Sequence, residues 1–161
     1  MSKKPPMLNL NTAALQPFGH GEAFAAGYHR IASTLGMKKI GCTLVQLAPG
    51  KRAWPFHGHY GQEECFVILE GEGSIRYHDG TQPLRAGDVI FTPPGPDTAH
   101  QIINTSDSTL RYLAFSSDED PEVCYYPDSD KIGCFTGEAG KRSFRFMAPA
   151  GASTDYWDGE D

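Results

Sequence analysis

Between Lys39 and Ser117 the apolar residues fall into short runs, each stopped by glycine or proline, and no helical pattern of any length interrupts them. Runs rich in Val, Ile, Phe and Tyr that recur at spacings of about ten residues build an all-β sandwich or barrel. "KIGCTLVQLAPG" predicts a strand running to Leu47 and closed by Pro49-Gly50. Further strands are expected at 64 to 71, 73 to 80, 87 to 95, 100 to 106 and 109 to 117. Gly71 with Gly73, and Asp79 with Gly80, read as tight connections between successive hairpins.

With 161 residues the chain has the size of one domain with one core. Residues 1–161 are therefore expected to form a single domain, with its core at 39–117 and a tail at 118–161. The first dozen residues lack periodicity and are expected to trail over the surface or to cover a neighbouring sheet. The tail, "SDEDPEVCYYPDSDKIGCFTGEAGKRSF" onward, is acidic and turn-rich but carries aromatic residues, so it is expected to fold back. Tyr156 and Trp157 near its end read as an anchor onto this barrel or onto a second copy.

Fourteen basic residues against twenty acidic ones leave a net charge of -6, which argues against nucleic acid as a partner. No apolar run approaches a membrane span, and the lysines of "MSKKPPMLNLN" have no apolar region behind them. A cytoplasmic protein without a membrane partner is the expectation. Cys42, Cys65, Cys124 and Cys134 form no C-x-x-C pair and are expected to be reduced.

The chemistry lies in "HGHYGQEECFVILEGEG". Alternate residues of a strand share a face, so His57 and His59 point the same way and can converge on one ion. Glu64 stands where the next strand begins. Glu63 is a possible ligand too, but strand parity favours Glu64. His100 opens another strand, and neutral imidazole with carboxylate is a common ligand set for first-row metals.

"PGKRAWPFHGHYGQEECFVILEG" resembles the first cupin motif, and "GDVIFTPPGPDTAHQIIN" resembles the second, closing on Asn104. The resemblance implies a double-stranded β-helix, or jelly-roll, barrel with an extended N-terminal segment and a C-terminal tail. It also implies one divalent metal ion held by His57, His59, Glu64 and His100, and a homodimer. Zn, Mn, Fe and Ni all suit that ligand set. The sequence departs from the family in the segment before each histidine group, Gly50 to His57 and Gly95 to His100, which is longer than the motifs prescribe.

Arg52, Tyr60, Arg76 and Tyr112 are the candidate substrate-binding residues, an arginine being suited to grip a carboxylate or phosphate. On the last barrel strand, Leu110, Tyr112 and Ala114 oppose Arg111, Leu113 and Phe115, and either set can face inward. "PPGPDTAHQIINTS", "YYPDSDKIG" and "DYWDGE" are similar to short bacterial cupins described as sugar-phosphate isomerase-like. That likeness implies a metalloenzyme acting on a small oxygen-rich metabolite, with Tyr112, His78 and Glu63 as candidate bases. An iron-dependent dioxygenase and a non-catalytic small-molecule binding or sensory protein are the alternatives.

Overall fold

The computed structural model describes residues 4–78, 80–137 and 141–160. A hairpin of β1 (Gln16–His20) and β2 (Phe24–Arg30) leads into a short helix, α1 (Ile31–Leu35). Then come β3 (Ile40–Leu47), β4 (Gly58–His59), β5 (Glu64–Glu70), β6 (Glu72–Tyr77), β7 (Gly80–Arg85), β8 (Val89–Thr92), β9 (His100–Ile103) and β10 (Leu110–Ser117). The tail adds β11 (Glu122–Tyr126), a turn of 3-10 helix at Pro127–Ser129, β12 (Lys131–Thr136) and β13 (Phe144–Pro149).

One wall of the barrel is a six-stranded sheet in the order β1-β2-β3-β10-β5-β8. The remaining strands form two smaller sheets, β13-β12-β11-β4 and β7-β6-β9. Reciprocal backbone hydrogen bonds between His57 and His100 join these two edge to edge. The main core lies between the walls: Val45, Leu47, Phe66, Ile68, Leu110 and Tyr112 come from the large sheet, and Ile75, Leu84 and Ile102 from the other side. Each such side chain contributes about 1.5–3 kcal/mol by leaving water.

Both faces of β3 and β10 are covered, which settles the alternation on the last barrel strand. Leu110, Tyr112 and Ala114 face the inner core, while Leu113 and Phe115 pack with Ile31, Cys42 and Leu44 in a second, outer cluster. Leu8, Leu10, Ala13 and Leu15 roof that cluster. The N-terminal segment thus covers the sheet.

Two expectations change. β5 pairs with β10 and β8, and β6 with β7 and β9, so Gly71 to Gly73 forms a corner between walls and not a hairpin. Gly71 has φ 82, and a Cβ there would run into the carbonyl oxygen of Thr109, which is why glycine occupies the corner. The hairpin that does form joins β6 to β7; of its expected turn, Asp79 lies outside the described residues. Residues 80 to 85 make a strand despite Pro83, because β7 is an edge strand and an edge tolerates a missing N–H.

The tail folds back as expected, and β11 pairs with β4. Tyr156 and Trp157, however, are 83% and 70% exposed and touch each other edge-on at 4.8 Å, so they do not anchor onto this chain's own barrel. All four cysteines are free. Among the described residues no helix is long and apolar enough to cross a membrane.

Candidate metal centre

The four expected ligands come from three strands and one loop end. His57 and His100 sit opposite each other in an antiparallel bridge, and residues so paired present their side chains on the same face. His59 follows on that face. Glu64 opens β5 on the facing wall, with Phe66 and Ile68 on the same inward parity, whereas Glu63 is exposed. Gly58 separates the two histidines because its backbone lies against Tyr125: a Cβ would come within 2.5 Å of that ring. The long loop before His100 is pinned at both ends, Gly95 N–H to the His59 carbonyl at 2.8 Å and Thr98 N–H to the Tyr125 hydroxyl at 2.6 Å. Asn104, the closing asparagine, is fully buried and bonds the carbonyls of Leu47 and Ser108.

One ligating atom from each of His57, His59, Glu64 and His100 lies within 4.8 Å of the others. His59 Nε2 stands 3.1 Å and His100 Nε2 2.8 Å from Glu64 Oε2. All three atoms are nevertheless buried without a hydrogen-bond partner. Orphaned buried polar atoms are costly and uncommon, and a cation at their centre would satisfy them together. The residues therefore fit a divalent ion. The histidine rings are also turned correctly for it: carbonyl oxygens of Pro55 and Thr98 can only accept, so the Nδ1 of His57 (2.8 Å) and of His100 (3.2 Å) carry the proton and leave Nε2 bare.

Burial and the neighbouring His100 and His59 lower the pKa of His57 to about 4, so its imidazole is neutral at pH 7. Burial opposes charge on His59, but Cys124, Glu122 and Glu64 outweigh it and push its pKa up to about 12. Burial likewise opposes charge on Glu64, yet the His100 and His59 imidazoles hold its carboxyl well below the usual carboxylate range.

The cluster faces a cavity of about 590 Å³. Its wall includes the rings of Trp54, Phe18 and Tyr112, and the basic residues Arg30, Lys38, Lys141 and Arg142. Of the expected substrate-binding residues, Tyr112 alone lines this cavity. Arg52 closes the barrel by bridging the backbones of Phe24 and Ile103, with its guanidinium toward Gln101 at 3.4 Å. Arg76 is paired with Asp128 at 2.7 and 2.9 Å and lies 3.7 Å over the Phe56 ring. Tyr60 is 48% exposed and packs on Tyr125. Of the candidate bases, His78 sits in the β6–β7 turn and Glu63 outside, neither of them on the cavity wall. Burial and Glu64 raise the Tyr112 hydroxyl far above its ordinary value, which makes it a hydrogen-bond donor and not a base.

Sequence reasoning missed Glu122, Cys124 and Arg142. Glu122 accepts from His59 Nδ1 at 2.7 Å, from the Cys124 thiol at 2.9 Å and from Arg142 at 2.9 Å. The alternation in "EVCYY" puts Glu122 and Cys124 on one face, but nothing in that pattern says that β11 lies beside β4.

Residues 43–116 match the Cupin domain family. A curated relative, the oxalate-binding protein of Thermotoga maritima, is 39% identical over 70 residues, covering 44% of this chain and 55% of its own length. The chain thus spans about half the length of that relative. Among solved structures, a protein of Acidithiobacillus ferrooxidans superposes with a TM-score of 0.84 at 20% identity, covering 95% of this chain and 97% of the other. A sugar phosphate isomerase of the cupin superfamily from Silicibacter pomeroyi gives a TM-score of 0.78 at 23% identity, covering 92% and 95%. At these identities the two structures establish the double-stranded β-helix fold and its extension over nearly the whole chain.

Proposed function

We propose that this chain, whose residues 43–116 match the Cupin domain family, binds one divalent metal ion at His57, His59, Glu64 and His100 and acts with it on a small, anionic, oxygen-rich metabolite of the sugar-phosphate kind. The observation that carries the reading is the convergence of four ligating atoms within 4.8 Å, three of them buried without partners. When bound, such an ion supplies Lewis-acid polarisation of a substrate oxygen. The chain's own residues supply the rest. Tyr112 presents a protonated hydroxyl beside Glu64, and Arg30, Lys38 and Lys141, on a wall that also carries Asp118, bring positive charge suited to a phosphate or carboxylate. A volume of about 590 Å³ accommodates a phosphorylated monosaccharide.

The test is a panel of aldose and ketose phosphates offered to protein of known metal content, read by NMR for interconversion and for loss of the carbon-bound proton to deuterated water. Turnover that disappears on chelation and returns with metal is the expected result. No change in any panel member would end the isomerase reading. A second reading has its own support, since the relative from Thermotoga maritima is an oxalate-binding protein: metal-dependent binding of a small dicarboxylate without turnover. Thermal stabilisation by oxalate that requires the metal, with oxalate recovered unchanged, would favour it.

A further inference from the structure

The three histidines of the cluster differ in what stands behind them. His57 and His100 are steadied by carbonyls two residues earlier in their own segments. His59 has no such local anchor. Its Nδ1 turns instead to Glu122 Oε1, 63 positions along the chain and 2.7 Å away. Glu122 is 5% exposed, and a carboxylate so buried is costly unless its charge is paired and its oxygens are occupied. Both conditions are met. Arg142, from the segment between β12 and β13, donates to Oε2 at 2.9 Å and is itself tied to the Gly137 carbonyl at 2.6 Å. The Cys124 thiol donates to Oε1 at 2.9 Å.

His59, Glu122 and Cys124 are donor types that could hold an ion of their own. The Arg142 guanidinium already supplies the positive charge there, which weighs against a second metal. The cluster is better explained as a support. Glu122 lies on the far side of the His59 ring from Glu64, since the two carboxylates contact opposite ring nitrogens.

We infer that Glu122, fixed by Arg142, is the positioning residue of the metal centre: it keeps a proton on His59 Nδ1 and so holds the ring with Nε2 toward the other three ligands. This rests on the metal reading above. A partner of this kind behind a ligating histidine fixes the ring's orientation and increases ligand basicity. Both Glu122 and Arg142 lie beyond the segment matched to the cupin domain, which ends at residue 116. The metal centre of this chain is therefore completed by its C-terminal sheet.

The experiment uses full-length protein labelled with 15N-histidine, with zinc as the probe ion. In the wild type, His59 should show a low-field proton on Nδ1, both before and after zinc is added. Glu122→Ala should lose that resonance and bind zinc about 10- to 100-fold more weakly in competition with a chelator. Glu122→Gln, which keeps an acceptor oxygen, should restore the resonance and most of the affinity. A wild type with no proton on His59 Nδ1 would overturn the inference, as would a folded Glu122→Ala protein with wild-type zinc affinity. The wild-type resonance needs no variant, so it decides the matter even if the alanine protein does not fold. A wild type that takes up no zinc would overturn the metal reading while leaving the Nδ1 proton to be judged by itself.

Discussion

His57 and His100 hydrogen-bond to each other through both of their backbones, at 3.2 and 2.8 Å, and this bridge joins the sheet of β4 to the sheet of β9. The same pairing that closes one wall of the barrel also sets two imidazoles on one face. His57→Ala and His100→Ala should therefore leave the backbone bridge intact while removing a ligand. The expected outcome is a folded protein whose affinity for zinc drops by more than the about 10- to 100-fold that follows loss of a residue behind a ligand. Chelator competition measures it, and unchanged affinity in both variants would sink the proposed ligand set.

Metal uptake should release protons. At pH 7 the metal-free His59, with a pKa of about 12, carries a proton that a metal must displace, while His57, at about 4, carries none to lose. Calorimetry in buffers of different ionisation enthalpy should show about one proton released per ion. A value near zero would refute it.

The same shift predicts the stability of the metal-free chain. His59 has a folded pKa above its ordinary 6.5, so its contribution is complete below pH 6.5 and is lost as pH rises toward about 12. The urea midpoint of metal-free protein should fall across that window, whereas the zinc-loaded protein should not share the fall. Parallel curves for the two forms would contradict the assignment.

Gly58 lies against Tyr125, so Gly58→Ala forces a Cβ to within 2.5 Å of a ring that also anchors the loop before His100. Overpacking of this kind costs about 1–3 kcal/mol. Both the urea midpoint and the metal content should fall; a substitution that changes neither would mean that the ring yields freely.

Leu44 is fully buried in the outer cluster, under Leu8 and Leu10, and does not itself line the cavity, although its neighbours Cys42 and Phe115 do. Leu44→Ala should cost about 2–5 kcal/mol by urea denaturation and leave zinc affinity as it was. Loss of metal binding in a folded Leu44→Ala protein would show that the two layers are not independent.

Tyr156 and Trp157 remain largely exposed on the single chain. The cupin resemblance implies a homodimer, and light scattering should return twice the mass of one chain. A monomeric mass at micromolar concentration would remove that expectation.

The strands β3, β5, β6, β8, β9 and β10 and the identity of the four clustered residues are legible in the chain itself, because alternation, glycine and proline punctuation and the spacing of His57, His59, Glu64 and His100 are local properties. β1 and β2 are not, since "QPFGH" and "FAAGYHR" lack an alternating apolar pattern and acquire strand form by pairing, β2 along β3 and β1 along β2. Arg52, Tyr60 and Arg76 lie near the motif in sequence, but folding turns them to Gln101, Tyr125 and Asp128 instead of the cavity.

What only the tertiary structure decided is which strand lies beside which. A run of alternating residues specifies a strand and its two faces, but the backbone groups it offers to a neighbour are the same for every sequence. The meeting of β11 with β4, and hence of Glu122 with His59, has no signature in either segment alone. It follows from the closure of the whole barrel, where burying the most apolar surface leaves one arrangement of edges.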